Sequence, residues 1–149
     1  MNYVYSFTQH KTAFSYQPIP FYNDTESSPA FNTKLDLNLY CIKKPQKTCF
    51  IRVTNPNLIA WGIEAGDMLV VEKNEKLFLN DLVVIEVSNK FQIYELIAQN
   101  NDEFIFMNLD SKGESIKTKE LSKLTIIGTI TNTIHQIKPQ QNNRMKFAS

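Results

Sequence analysis

Few side chains in this sequence have obvious chemical reach: two cysteines, two histidines and a single tryptophan. Cys41 or Cys49 beside His10 or His135 would make a thiol–imidazole dyad, in which the ring takes the thiol proton and leaves a nucleophilic thiolate. The blander reading is stronger. Two cysteines make neither a disulfide framework nor a zinc signature, and read as small half-buried apolar residues in a reducing compartment. His135 reads as an ordinary residue near the end of a last strand. Asp102-Glu103 offers two adjacent carboxylates for acid–base work, but reads better as a solvated turn. Trp61, beside Leu58, Ile59 and Ala60, reads as core or dimer contact rather than a ligand platform. No pattern of metal ligands and no cofactor motif is present, so neither a metal nor a cofactor is expected.

The elements that must position these residues are short strands. Leu35, Leu37, Leu39 and Cys41 alternate with Lys34, Asp36, Asn38 and Tyr40, as a half-buried strand should. Thr48 to Thr54 predicts a second strand, ended by the turn Asn55-Pro56-Asn57. Met68 to Val71 and Leu82 to Val87 read as buried β runs. Ser88-Asn89-Lys90 predicts a hairpin tip before a strand from Phe91 to Ile97. Glu103 to Asn108 follows, and Leu124 to Ile137 supplies a long last strand. Strands at this spacing, without a ten-residue helical stripe, predict a mainly β fold, antiparallel or barrel-like. Residues 1–30 differ: Tyr3, Tyr5, Phe7, Phe14, Tyr16, Phe21 and Tyr22 lie among polar residues and prolines without a period, as in an extended arm that adheres by its aromatics. The expected organisation is an arm over 1–30, a β domain over 31–138 and a frayed polar tail over 139–149.

With 149 residues, 42% of them hydrophobic and 11% aromatic, the chain suits one globular domain. A net charge of +1 with interleaved Lys and Glu leaves no obviously basic face, so direct nucleic-acid binding is not expected. No apolar run approaches the roughly 20 residues that span a bilayer, and the start MNYVYSFTQHK lacks the order of a signal peptide. The expected location is the cytoplasm.

Several blocks, taken together and in order, resemble the self-cleaving LexA/UmuD (S24-type, Ser-Lys) family. Ser28-Pro29-Ala30 and Lys34 to Asn38 look like the stretch leading into the UmuD core. Phe50 to Leu58, then Gly62-Ile63 and Gly66-Asp67-Met68-Leu69-Val70-Val71, lie without a gap over the family's Gly-Asp-Ser-Met, Gly-Ile and Gly-Asp segment. Asn80 to Val84 resembles the next strand start, and Phe91 to Leu96 falls on the strand carrying the family's lysine. Thr125 to Thr131 matches the closing strand around Gly128. The resemblance implies a LexA/UmuD-like twisted sheet or pseudo-barrel over roughly residues 28–138.

The resemblance also implies a site, and here the sequence departs from it. The family cuts a bond in its own arm with a serine nucleophile and a lysine base that must be neutral to accept a proton. Asn57 stands at the serine position and Tyr94 at the lysine position. A carboxamide nitrogen is no nucleophile, and a phenol is protonated at neutral pH. Pro56 removes an N–H from the loop that would hold an oxyanion. The arm lacks the family's Cys-Gly or Ala-Gly target, since no glycine precedes Gly62. The expectation is a non-cleaving member, with Asn57 and Tyr94 within hydrogen-bonding reach of each other. By the same resemblance it is an accessory or regulatory subunit of translesion synthesis in the DNA-damage response, without the helix-turn-helix of a LexA-type repressor. Its expected partners are its own copy, a Y-family polymerase of the UmuC kind, the RecA filament and the sliding clamp. Pro18-Ile19-Pro20-Phe21-Tyr22 resembles the UmuD arm segment associated with the clamp, which makes Ile19, Pro20, Phe21 and Tyr22 candidate partner-binding residues. Packing of that segment on the protein's own surface or its dimer mate is the competing reading. Two other functions remain open at this point: a decoy that heterodimerises with an active UmuD or LexA-type partner, and a peptidase whose nucleophile lies elsewhere.

Overall fold

A computed structural model of the chain describes residues 22–25 and 36–138. The chain divides into two units, 1–40 and 41–149. Most of the predicted arm and the whole tail, including Ile19, Pro20, Phe21 and His10, lie outside the described residues; Tyr22 is described, and about half exposed.

Among the described residues seven strands make one antiparallel sheet: β1 Thr48–Arg52, β2 Met68–Glu72, β3 Leu82–Val87, β4 Lys90–Asn100, β5 Glu103–Asn108, β6 Ile116–Thr118 and β7 Thr125–Ile134. Their order across the sheet is β1-β2-β7-β3-β4-β5-β6, so the last strand is inserted between β2 and β3. The mainly β, LexA/UmuD-like architecture expected from the sequence is the one observed.

Residues of β3 alternate between two hydrophobic clusters, which is why this strand reads as a continuous apolar run. Val84 joins Val53, Leu58, Ile63, Leu69, Val71, Ile93 and Leu109 in one. Val83 and Ile85 join Tyr94, Leu96 and Phe106 in the other. The hairpin tips need left-handed backbone, and Ser88 (φ 52°) with Asn89 (φ 63°), then Asn101 (φ 50°) with Asp102 (φ 66°), supply it. Register shifts between Val70 and Val71, Val84 and Ile85, and Leu96 and Ala98 interrupt the ladders. Such bulges strengthen twist and bend a sheet around its core. At Gly128 the backbones close up: a Cβ there would come within 2.6 Å of the Glu72 carbonyl oxygen.

β1 is one edge of the sheet. Val53 N–H donates to the Asp67 carbonyl, Gly66 N–H to the Val53 carbonyl and Lys73 N–H to the Lys47 carbonyl. Alternation along the strand therefore turns the N–H and C=O groups of Phe50 and Arg52 away from β2. No strand among the described residues takes them up.

One element differs from the expectation. Leu37–Cys41 is a short α-helix, α1, rather than part of a half-buried strand. Asp36 decides it: its carboxylate accepts the Asn38 N–H at 2.9 Å, and its carbonyl accepts the Tyr40 N–H at 2.8 Å. This local capping outweighs a weak alternation, and Leu37, Leu39 and Tyr40 stay exposed. β4 runs past Ile97 because pairing resumes at Ala98 after the bulge. β7 stops short of Ile137, and β6 is too brief to show a pattern.

Candidate functional site

The segment over which the sequence places the family's nucleophile is a 3₁₀ turn, Pro56–Trp61. Asn55 caps it, its side-chain oxygen accepting the Asn57 N–H at 2.8 Å, and Pro56 suits the first turn because its φ is preset and it has no N–H to satisfy. Leu58, 3% exposed, anchors the turn in the core. Gly62 ends it at φ 78°, a left-handed conformation that favours glycine. Trp61 donates its ring N–H to the Leu109 carbonyl at 3.1 Å while its ring stays part-exposed.

Asn57 is exposed and held. Its Nδ2 donates to Asp110 Oδ2 at 3.2 Å, Asn55 Nδ2 donates to the same oxygen at 3.0 Å, and the Lys112 N–H donates to Oδ1 at 2.9 Å. The Lys112 N–H first, then the two amides, keep the Asp110 carboxyl below its ordinary pKa.

Tyr94 is 2% exposed, on β4 opposite Val83, and its hydroxyl donates to Gln92 Oε1 at 3.3 Å. Burial pushes its phenol above the ordinary pKa and the charge of Glu114 adds to the rise, while the Asn108 amide works against them. Asn57 and Tyr94 therefore do not meet: each has its own partner, and no hydrogen bond among the described residues joins them. The expected direct contact is corrected to an indirect one. Asn108 Nδ2 donates to Gln92 Oε1 at 2.8 Å, and Asn108 Oδ1 accepts the Asp110 N–H at 2.9 Å. The two positions are thus the ends of one path, Tyr94–Gln92–Asn108–Asp110–Asn57. Gly113 leaves the room this path needs, since a Cβ there would fall on the Asn108 carboxamide.

Beside the turn opens a cleft of about 800 Å³, lined by Ile51 and Arg52 of β1, Leu58, Ile93, Lys90 and Lys112 among others. One wall is β1, whose outward backbone groups suit an extended chain. The arrangement offers a bordered groove, with a carboxamide at Asn57 and a protonated phenol at Tyr94, the two positions that the sequence resemblance singles out.

Sequence reasoning missed a second cluster. Asp67, 2% exposed, receives the ring of His135 at 2.6 Å from Nδ1 to Oδ1, and the Glu64 N–H at 2.9 Å. Glu64 Oε2 lies 3.6 Å from His135 Nε2. No local signal shows this pairing, because the partners stand 68 residues apart. Both ring nitrogens of His135 face carboxylates, so it forms no dyad with Cys41 or Cys49. Partial burial pushes the Cys49 thiol above its ordinary pKa, away from the reactive thiolate. Asp102 lies in the β4–β5 turn and Glu103 opens β5, as a solvated turn predicts. Among the described residues no group of His, Cys, Asp and Glu is placed to hold a metal, and no helix is long and apolar enough to cross a membrane.

Comparison with known proteins gives a consistent result. Residues 16–131 match the peptidase S24-like family. An uncharacterised protein of Haemophilus influenzae is 55% identical over 118 residues, which cover 79% of this chain and 84% of that protein. Protein ImpA of Salmonella typhimurium is 30% identical over 105 residues, 70% of each chain. Protein MucA of Escherichia coli is 33% identical over 99 residues, 62% of this chain and 68% of that protein.

Proposed function

Since the chain belongs to the peptidase S24-like family, we propose that it is a UmuD-like member that binds without cutting, an accessory or regulatory subunit of error-prone translesion synthesis in the DNA-damage response. One observation supports the loss of cleavage above the others: the Asn57 amide is engaged as a donor to Asp110, and Tyr94 is buried with its phenol engaged at Gln92. Peptide cleavage by this family's chemistry needs an attacking oxygen and a neutral amine in contact. Here both groups are neutral, non-nucleophilic and separated by three intervening side chains. The cleft along β1 then serves to hold an extended segment. Its cationic Arg52, Lys90 and Lys112 favour a segment carrying carboxylates as well as apolar residues.

On this reading the protein acts in the cytoplasm as a homodimer that contacts a Y-family polymerase, with the RecA filament and the sliding clamp as further partners. The partners follow from the UmuD resemblance. Incubation of the purified protein with an activated RecA filament, or at alkaline pH, is expected to leave its mass unchanged. A discrete shorter product that disappears in Asn57→Ala would overturn the reading and restore a peptidase. Pull-down from the protein's own cell is expected to recover a Y-family polymerase. Recovery of an active UmuD or LexA-type protein in its place would favour the decoy.

A further inference from the structure

We propose that His135 and Asp67 form a proton-operated latch, which ties the exit of β7 to the loop before β2 and through it steadies the Val53 end of β1. The latch lies outside the Tyr94-to-Asn57 path and does not depend on the function proposed above.

The geometry carries the inference. Asp67 precedes β2 and His135 follows β7, so the 2.6 Å contact between them joins two chain segments at one end of the sheet. Asp67 is nearly devoid of solvent contact, whereas the His135 side chain is 44% exposed. A carboxylate without water needs donors. Asp67 draws them from the Glu64 N–H, the Thr133 side chain and the His135 ring. The same loop carries the partners of Val53: the Asp67 carbonyl accepts its N–H at 2.8 Å, and the Gly66 N–H donates to its carbonyl at 2.7 Å. Val53 is followed directly by Thr54 and Asn55 in the wall of the cleft. What holds Asp67 therefore also holds one border of the groove.

The ring can carry the charge because of what faces it. Asp67 and Glu64 approach its two nitrogens from the loop. Arg52 of β1, the cation bonded to this loop, is directed to the Gly66 carbonyl oxygen at 3.1 Å. The hydrogen bond that the His135 ring donates to Asp67 chiefly, with the charges of Glu64 and Asp67 added, raises the His135 pKa above its ordinary value against a smaller opposing effect of burial. For Asp67, burial pushes upward but is outweighed by the Glu64 N–H, the His135 ring and the Thr133 side chain, so its pKa is lowered. A raised histidine pKa contributes stability that is complete below the unfolded value of about 6.5 and is lost as pH rises through the folded value. A lowered aspartate pKa contributes stability that is lost as pH falls through its own folded value. The latch is closed between these limits. Above the upper one the imidazolium gives its proton to solvent and Asp67 keeps only neutral donors.

The test is a proton NMR titration of the histidine rings in the full chain, with His135 identified by the signal lost in His135→Gln. Amide exchange at Val53 and Gly66 is followed over the same pH range. The expected result is a His135 midpoint above that of a free imidazole, with protection at both amides falling several-fold, beyond the intrinsic pH effect, as pH passes that midpoint. A midpoint at or below the ordinary value, or protection that ignores it, overturns the latch. Asp67→Asn should lower the midpoint. If that variant does not fold, amide exchange in His135→Gln decides: protection at Val53 and Gly66 that no longer steps with pH supports the latch, and a step that persists overturns it.

Discussion

The side-chain amide of Asn57 donates to Asp110 Oδ2 at 3.2 Å, so this residue fastens its turn to the loop after β5. Asp110 has three such donors, and Asn57 is the exposed one of the two amides. Replacing Asn57 with alanine is therefore expected to change stability by less than about 0.5 kcal/mol, as for surface positions generally. Urea unfolding that shows a large loss would mean the turn depends on this single amide.

Asn108 is the opposite case. It is 8% exposed and serves Gln92 on one side and the Asp110 N–H on the other. Asn108→Ala leaves the part-buried Asp110 N–H unpaired and Gln92 Oε1 with only the long bond from Tyr94, and is expected to cost about 1–3 kcal/mol. The same unfolding experiment checks it, and an effect as small as that of Asn57→Ala would show that water replaces the carboxamide.

Tyr94 separates packing from charge. Tyr94→Phe keeps the ring within its cluster and gives up one long hydrogen bond, for an expected cost below about 1 kcal/mol. Tyr94→Lys puts an amine among Val83, Leu96 and Phe106, for an expected cost of about 1–3 kcal/mol. Thermal melts of the two variants should fall in that order.

The raised pKa of the Tyr94 phenol predicts an alkaline limit. The folded state holds this proton more tightly than the unfolded chain, so the stability it contributes is complete below the ordinary tyrosine value of about 10 and is lost as pH rises through the folded value. In an ultraviolet titration, one of the six tyrosines should ionise late or only on unfolding. That step should vanish in Tyr94→Phe; six tyrosines titrating together in the folded protein would contradict it.

Gly128→Ala tests the crossing of β2 and β7. The new methyl would meet the Glu72 carbonyl oxygen at 2.6 Å, and backbone cannot rotate aside as a side chain can. A cost of about 3 kcal/mol, at the upper end for an overpacked site, is expected, measured as a loss of midpoint in urea. A stable variant would require β7 to shift its register against β2.

The apolar runs of β2 and β3 and the turn at Asn55-Pro56-Asn57 are legible in the sequence because each is decided by its own residues. Leu37–Cys41 departs from the expected strand for a related reason: an alternation over only Lys34 to Cys41 is a weak signal, and the Asp36 cap that overrides it is equally local but resembles the polar half of a strand. The expectation that Asn57 and Tyr94 stand at the two family positions rests only on the order of blocks along the chain. Their separation could not be read, because it depends on where Gln92, Asn108 and Asp110 come to rest after β3, β4 and β5 have paired. The pairing of His135 with Asp67 was hidden for the same reason, since β7 must first be inserted beside β2.

The outward-turned backbone of β1 has a practical consequence. The strand reads Thr-Cys-Phe-Ile-Arg, with neither a proline nor a bulge at its centre and with Phe50 exposed. Natural sheets commonly protect such borders because they template growth by further chains. Among the described residues nothing covers this border, so aggregation is expected to begin there, and Phe50→Lys is expected to slow it in concentrated stocks.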